Sequence, residues 1–231
     1  GAIGQRLGIE GMAKWLHRFG FGERTGVDLS FEASGLIGTP EWSRRVRGTP
    51  WYPGEAVSVS IGQGPVLATT IQLARAFAIL ANRGEAVTPH MVAAPSGRPT
   101  LERIDPDHLA LVNNALAQVV HGPTGTARRI GRLPMAGKTG TAQVVRLQEG
   151  LDADELAQEL RHHAWFVGWA PLDEPELVVA VIVEHGGDGG SMAAPVAARV
   201  VEAHLKQLPP SPEPQTPPAP VRTPDSPRGA G

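Results

Sequence analysis

The residues from Ala136 to Gln143 combine a cation, two hydroxyls and two glycines in one short segment. Lys138 supplies a fixed positive charge. Thr139 and Thr141 alternate with Gly140, so on an extended backbone both threonines face the same way. Gly140 has no side chain, which would let another backbone lie close against that edge. Such a strand could hold an anionic peptide end and leave a carbonyl group next to a backbone N–H.

Two other interpretations of this segment are open from its residues alone. A nucleotide-binding loop requires a glycine five positions before its second glycine, where this chain has Arg132, and it must open a helix. Here Gly140 and the strand-forming Val144 and Val145 follow instead, so a phosphate loop is disfavoured. From the tripeptide alone, a surface hairpin strand with an ordinary solvated lysine is the favoured interpretation.

Composition places the chain among globular proteins and excludes several kinds of site. It has 231 residues, 41% hydrophobic and 19% charged, enough for one well-buried domain or two small ones. The net charge of −2 gives no support to nucleic-acid binding. Without cysteine there can be no disulfide or thiolate metal site. We therefore expect no nucleic-acid partner and no thiolate-bound metal.

Helical patterns flank the Lys-Thr-Gly segment. Apolar residues recur at helical spacing from Ile9 to Phe19, and Gly20 ends that pattern. Thr69 and Gln72 form a capping box before an alanine-rich helix that closes at Gly84. Further helices are predicted from Asp105-Pro106 to Gly122, over about 153–160, and over 193–205. Residues 20–66 have no clear period and are predicted to be a long irregular segment.

Three strands are predicted, over about 135–146, 164–170 and 177–184, the last two joined by a hairpin-sized connection at 171–176. Trp165, Val167 and Trp169 alternate and predict the core face of the middle strand. Residues 208–231 contain nine prolines and are predicted to be a disordered tail. No apolar run is long enough to span a membrane.

Several segments together resemble the transpeptidase domain of class B penicillin-binding proteins, and among these the members that act in cell elongation. Lys-Thr-Gly is one of three signatures that penicillin-binding proteins share with serine β-lactamases. The matching segments run in the family order and cover most of residues 1–207: 8–13, 19–22 with 25–26, 58–64, 70–75, 82–84, 122–126, 136–143, 163–171, 181–186 and 194–195.

The other two signatures of the family are not present in these 231 residues. No serine is followed three positions later by lysine, and no asparagine has a serine or threonine two positions before it. In the family both motifs precede the segment that matches Gly1. We therefore expect a longer protein cut at its N-terminus, and we expect this piece alone to be inactive. Residues 1–207 are then the C-terminal portion of the transpeptidase domain.

The resemblance implies an α+β fold, an antiparallel sheet flanked by helices, from which the first two strands of the family would be absent. It implies that Lys138 assists proton movement and attracts the carboxylate of a stem peptide or β-lactam. Thr139 and Thr141 hydroxyls would bond that carboxylate, and the Thr141 N–H would be one oxyanion donor. Gly140 would let substrate add to the strand edge.

The resemblance further implies a peptidoglycan D,D-transpeptidase that works through an acyl-serine and needs no cofactor and no metal. Its partners would be peptidoglycan stem peptides, β-lactam antibiotics, a membrane glycan polymerase and other elongation-complex proteins. It would act at the periplasmic face of the inner membrane, anchored upstream of this chain. Two alternatives remain open: a serine β-lactamase or penicillin sensor, and a non-catalytic wall-binding scaffold.

Other candidates are given structural interpretations. His162 and His163 would point to opposite faces of a strand, which disfavours zinc, and His163 is expected to pack at the strand start. His185 and Asp188 are expected in a glycine turn rather than as a polar pair. Glu184 is expected to be a structural carboxylate and Ser191 is not assigned as a nucleophile. The glycine-rich loop at 60–64 either lines the substrate groove or only leads into the Thr69 helix.

Overall fold

The structure is a computed structural model that describes residues 2–92, 104–143 and 161–207. The helices and strands follow in chain order: α1 (Ala2–Arg18), β1 (Leu36–Ile37), α2 (Pro40–Trp42), α3 (Pro53–Val59), β2 (Val66–Leu67), α4 (Thr70–Ala81), α5 (Pro106–His121), β3 (Ala136–Ala142), β4 (His163–Ala170), β5 (Leu177–Val183) and α6 (Ala194–Leu205). The predicted helix at 153–160, the strand residues 144–146 and the proline-rich tail lie outside the described residues. Within the described ranges no helix has both the length and the apolarity needed to cross a bilayer.

The predicted three-stranded antiparallel sheet is confirmed. β4 lies in the middle and pairs with β3 on one side and with β5 on the other. The tight 171–176 connection makes β4 and β5 neighbours, and β-branched and aromatic residues fill both strands. Among the described residues, β3 and β5 are the two edge strands of this sheet.

Helices cover both faces of the sheet, as the resemblance implied. Trp169 and Val167 are buried, as predicted, and Trp169 packs against side chains of α4 and α5. Trp165, which was predicted on the same core face, is only half-buried. On the opposite face Phe166 is fully buried with Ala197 and the rest of the inner side of α6. Both faces of β4 are therefore apolar, because the sheet lies between two helical layers.

The predicted helix boundaries are confirmed where a cap marks them. The Thr69 hydroxyl accepts from Gln72 N–H at 3.2 Å, and the Gln72 side chain accepts from Thr69 N–H at 2.9 Å. The Asp105 carboxylate caps α5 through the N–H of Asp107. Helix α1 is bent at Gly8, whose φ of 69° no interior helical residue adopts.

The segment at 20–66 is mostly irregular, as predicted, but contains α3, which the sequence analysis missed. Pro53 occupies the first turn of α3, and the Glu55 carboxylate accepts from Tyr52 N–H at 2.9 Å. Seven residues are too few for a helical period to be recognised, so only the proline and glutamate marked this helix. A short ribbon of β1 and β2 closes the segment.

Candidate functional site

The side chains of β3 alternate as the sequence predicts. Thr139 lies opposite Phe166 and Thr141 opposite Ala164, so both threonines are on the α6 side of the sheet. Lys138 lies opposite Val167, on the α4 side. Strand β3 therefore presents two hydroxyls from one face and an ammonium group from the other.

The backbone groups of Thr139 and Thr141 point away from β4, toward the outer edge of β3. The Lys138 ammonium donates to the Thr139 carbonyl at 2.7 Å, and the Gln63 side-chain amide donates to the Thr141 carbonyl at 3.1 Å. In an antiparallel strand the N–H and C=O of one residue point to the same side. The Thr141 N–H is therefore directed to the outer edge of β3, where it can donate to a ligand.

Gln63 brings the loop at 60–64 into contact with the Lys-Thr-Gly strand. Gly62 and Gly64 both have positive φ, 76° and 78°, so the chain turns sharply on either side of Gln63. The Gln63 N–H donates to Ser58 carbonyl at 3.0 Å, which fixes the loop against the end of α3. The loop leads toward α4 and also reaches the Lys-Thr-Gly strand. The only sequence signal was a glutamine between two glycines.

Thr126 is a second residue that the sequence analysis did not single out. Its hydroxyl oxygen lies 2.7 Å from the hydroxyl oxygen of Thr139. Thr126 follows α5 in the loop at 122–127, and it reaches β3 from the α6 side of the sheet. The sequence could align this loop with a family segment, but nothing in it indicated which side chain the loop would offer.

Gly140 has a packing role that the structure shows directly. A Cβ on Gly140 would lie 3.2 Å from the Cβ of Trp165 across the strand pair. Gly189 packs against the Gly140 backbone, since a Cβ on Gly189 would lie 2.5 Å from the Gly140 carbonyl oxygen. The predicted role of Gly140 in admitting substrate to the edge remains a prediction.

Lys138 is an exposed cation at the edge of the sheet. Among the residues that the structure describes, no carboxylate forms an ion pair with Lys138. Within the same ranges its ammonium group has one hydrogen bond, to the neutral carbonyl of the adjacent Thr139. A charged donor bonds a carboxylate more strongly than a neutral carbonyl, so an anionic ligand at this edge can draw the ammonium away from Thr139.

The histidines and Asp188 have structural roles. The His163 Nδ1 accepts from His185 N–H at 3.0 Å, and His185 has the left-handed φ of 54° that suits a turn. The Asp188 carboxylate accepts from Ser191 N–H at 2.8 Å and caps the helical turn Gly189–Ala193 that precedes α6. Over the described ranges, no three side chains of the metal-binding types lie together.

Comparison with known proteins places this arrangement in a family. The model of the penicillin binding protein transpeptidase domain matches residues 2–202. The chain belongs to this family. Its Lys-Thr-Gly strand and its helix-covered antiparallel sheet are family features, as the sequence resemblance implied.

Curated and solved relatives agree with the family match. The chain is 43% identical over 204 residues to the peptidoglycan D,D-transpeptidase MrdA of Acinetobacter baumannii, covering 83% of this chain and 30% of that protein. It is similar to the crystal structure of Pseudomonas aeruginosa PBP2 in complex with WCK 5153, with a TM-score of 0.76, 39% identity, and coverage of 88% and 46% of the two chains.

A complex between Helicobacter pylori PBP2 and MreC gives a TM-score of 0.77 at 28% identity, covering 89% of this chain and 38% of that one. The chain therefore spans about a third of the length of the curated transpeptidase that it resembles. This transpeptidase-family chain carries the Lys-Thr-Gly strand and the helices around it, and the rest of the relatives' length has no counterpart in these 231 residues.

Proposed function

We propose that the protein to which this transpeptidase-family chain belongs is a peptidoglycan D,D-transpeptidase of the MrdA or PBP2 type. It cleaves the terminal D-Ala of a stem peptide through an acyl-serine and passes the acyl group to an amine on a neighbouring stem. The observation that carries the proposal is the outer edge of β3. There a cation that has no anionic partner among the described residues, two hydroxyls and an outward backbone N–H lie within four consecutive residues.

In this mechanism the residues of β3 bind and polarise the substrate. The Lys138 ammonium attracts the terminal carboxylate of the stem peptide and assists proton movement at the neighbouring catalytic serines. The Thr139 and Thr141 hydroxyls donate to that carboxylate. The Thr141 N–H donates to the oxygen that becomes negative in the tetrahedral intermediate. The nucleophilic serine and its base come from Ser-x-x-Lys and Ser-x-Asn motifs outside these 231 residues, and no cofactor or metal is required.

We also propose the partners and location that this activity requires. Cross-linking needs newly made glycan strands, so a membrane glycan polymerase is the expected partner, together with other elongation-complex proteins. A PBP2 of similar structure forms a complex with MreC. β-Lactam antibiotics would acylate the same serine. The substrate lies outside the inner membrane, which places the domain at the periplasmic face.

Acylation of the full-length protein by a labelled penicillin tests the proposal. We expect a stoichiometric adduct in the wild-type protein, and we expect Lys138→Ala to lower the second-order acylation rate by about 100-fold or more, as for loss of one preorganised electrostatic group. Lys14→Ala is the matched control, because Lys14 is an exposed lysine on α1. A wild-type protein that forms no adduct would refute the function. Normal acylation of the Lys138 variant would refute the role of that residue.

A further inference from the structure

The Thr126 and Thr139 hydroxyls form a hydrogen bond whose donor depends on what else the two groups bind. The two oxygens are 2.7 Å apart, the usual distance of an O–H···O hydrogen bond. A hydroxyl has one hydrogen to donate and two lone pairs to accept with. Either oxygen can be the donor in the substrate-free protein, but only one of them at a time.

The backbone around Thr126 is held in place, so its hydroxyl is brought to Thr139 by the fold. The next residue, Ala127, is fully buried, and its N–H donates to the Val119 carbonyl of α5 at 3.0 Å. On the other side Gly190 packs so closely that a Cβ there would collide with the Thr126 carbonyl oxygen. The β-branched side chain of Thr126 has few rotamers, which limits where its hydroxyl can lie.

A carboxylate ligand decides which hydroxyl donates. An ionised carboxylate only accepts hydrogen bonds, so Thr139 can bind it only through its own hydrogen. That hydrogen is available only when the other partner, Thr126, is the donor in the pair. The two hydrogen bonds, from Thr126 to Thr139 and from Thr139 to the carboxylate, then run in the same direction. In this arrangement each hydrogen bond polarises the next.

We propose that Thr126 is a positioning residue whose hydroxyl donates to Thr139 Oγ1 and thereby turns the Thr139 O–H toward the substrate carboxylate. This inference rests on the proposed function, in which Thr139 binds that carboxylate. It distinguishes the two threonines of β3, because among the described residues the Thr141 hydroxyl has no comparable side-chain donor. Recognition of a free carboxylate is then a property of Thr139 and Thr126 together.

The test compares two probes on the full-length protein, benzylpenicillin with its free carboxylate and the methyl ester of the same molecule. Thr126→Val removes the hydroxyl and keeps the shape of the side chain, whereas Thr126→Ser keeps the hydroxyl. Thr124→Val is the matched control, because Thr124 is an exposed threonine of the same loop. The quantity measured is the ratio of the second-order acylation rates for the acid and the ester.

We expect Thr126→Val to lower this ratio by about 2- to 12-fold, the factor that corresponds to one neutral hydrogen bond. Thr126→Ser and Thr124→Val should keep the wild-type ratio. A wild-type ratio in Thr126→Val would overturn the proposal, and equal losses of rate with both probes would in addition show a merely structural role. A raised ratio would also overturn it, because it would show that Thr139 is the donor.

Two further readouts keep these outcomes distinct. Thermal melting of each variant shows whether it folds, and Thr126→Ala, which also lacks the hydroxyl, replaces the valine variant if that one does not. A wild-type protein that neither probe acylates would instead refute the proposed function. If only the positioning role of Thr126 is wrong, benzylpenicillin still acylates the wild-type protein.

Discussion

Replacing Gly189 with alanine would push the turn before α6 away from the Lys-Thr-Gly strand. A Cβ at this position would lie closest to the Trp165 carbonyl oxygen of β4, and it would lie 2.5 Å from the Gly140 carbonyl oxygen and 3.1 Å from the Gly140 nitrogen of β3. All three atoms belong to the sheet and cannot move alone. Restoring an ordinary contact of 3.4 Å to the Gly140 oxygen requires a shift of about 0.9 Å, the difference between 3.4 and 2.5 Å, and the contact with the Trp165 oxygen requires a larger one.

Overpacking of this kind costs about 1–3 kcal/mol of folding free energy. In a domain of this size each kcal/mol corresponds to roughly 2–4 °C, so the melting temperature should fall by roughly 2–12 °C. Displacement of a binding group by about 1 Å can cost 100-fold in rate, so acylation of the full-length protein by penicillin should fall by up to about that factor.

Gly54→Ala is the matched control. Gly54 lies in α3, its φ is not positive, and nothing lies within 4 Å of where its Cβ would be. This variant should melt at or slightly above the wild-type temperature, because alanine favours a helix over glycine. If Gly189→Ala both melted and acylated like the wild-type protein, the turn would not press on β3, and the packing argument would be wrong.

Three other predictions concern stability, pH and the isolated chain. Gln72 is fully buried, and its amide donates to the carbonyls of Glu23 at 2.6 Å and Ser34 at 2.8 Å. Gln72→Leu should therefore cost about 1–3 kcal/mol of folding free energy for each carbonyl left without a donor. An unchanged melting temperature would contradict this. The Tyr52 backbone N–H holds the pKa of the Glu55 carboxyl below its ordinary 4.5. A lowered carboxyl pKa stabilises the fold at pH values above 4.5, and this stabilisation is lost as the pH falls through the pKa of the folded state. The melting temperature of the wild-type protein should therefore exceed that of Glu55→Gln at neutral pH, and the difference should disappear at a pH well below 4.5. The 231-residue chain alone should form no covalent penicillin adduct, and a stoichiometric adduct in its intact mass would show that the nucleophile lies within it.

The parts of the fold that the sequence predicted correctly depend on local patterns. The capping box of Thr69 and Gln72 fixes the start of α4 within four residues. A short connection between two apolar runs predicts the β4–β5 hairpin, and the alternation of Thr139 and Thr141 predicts which way their side chains point. In each case neighbouring residues alone determine the backbone geometry.

The contacts that complete the site could not be predicted, because they join distant parts of the chain. Gln63 and Thr141 are 78 residues apart, and only the assembled fold brings that loop to β3. Thr126 is 13 residues from Thr139, but the loop that carries it is oriented by the close approach of Gly190. Trp165 was predicted to lie in the core with Val167 and Trp169, but it is only half-buried. Alternation shows which residues share a face of β4, but it does not show how far along the strand that face is covered.

A crystal structure of the full-length protein acylated by benzylpenicillin tests the central claim most directly. We expect the penicillin carboxylate to lie within hydrogen-bonding distance of the Thr139 and Thr141 hydroxyls, with the Lys138 ammonium turned from the Thr139 carbonyl toward the ligand. We also expect the acyl carbonyl oxygen to accept a hydrogen bond from the Thr141 N–H. A carboxylate bound elsewhere, with Lys138 still donating to the Thr139 carbonyl, would contradict the assignment of this edge as the substrate site.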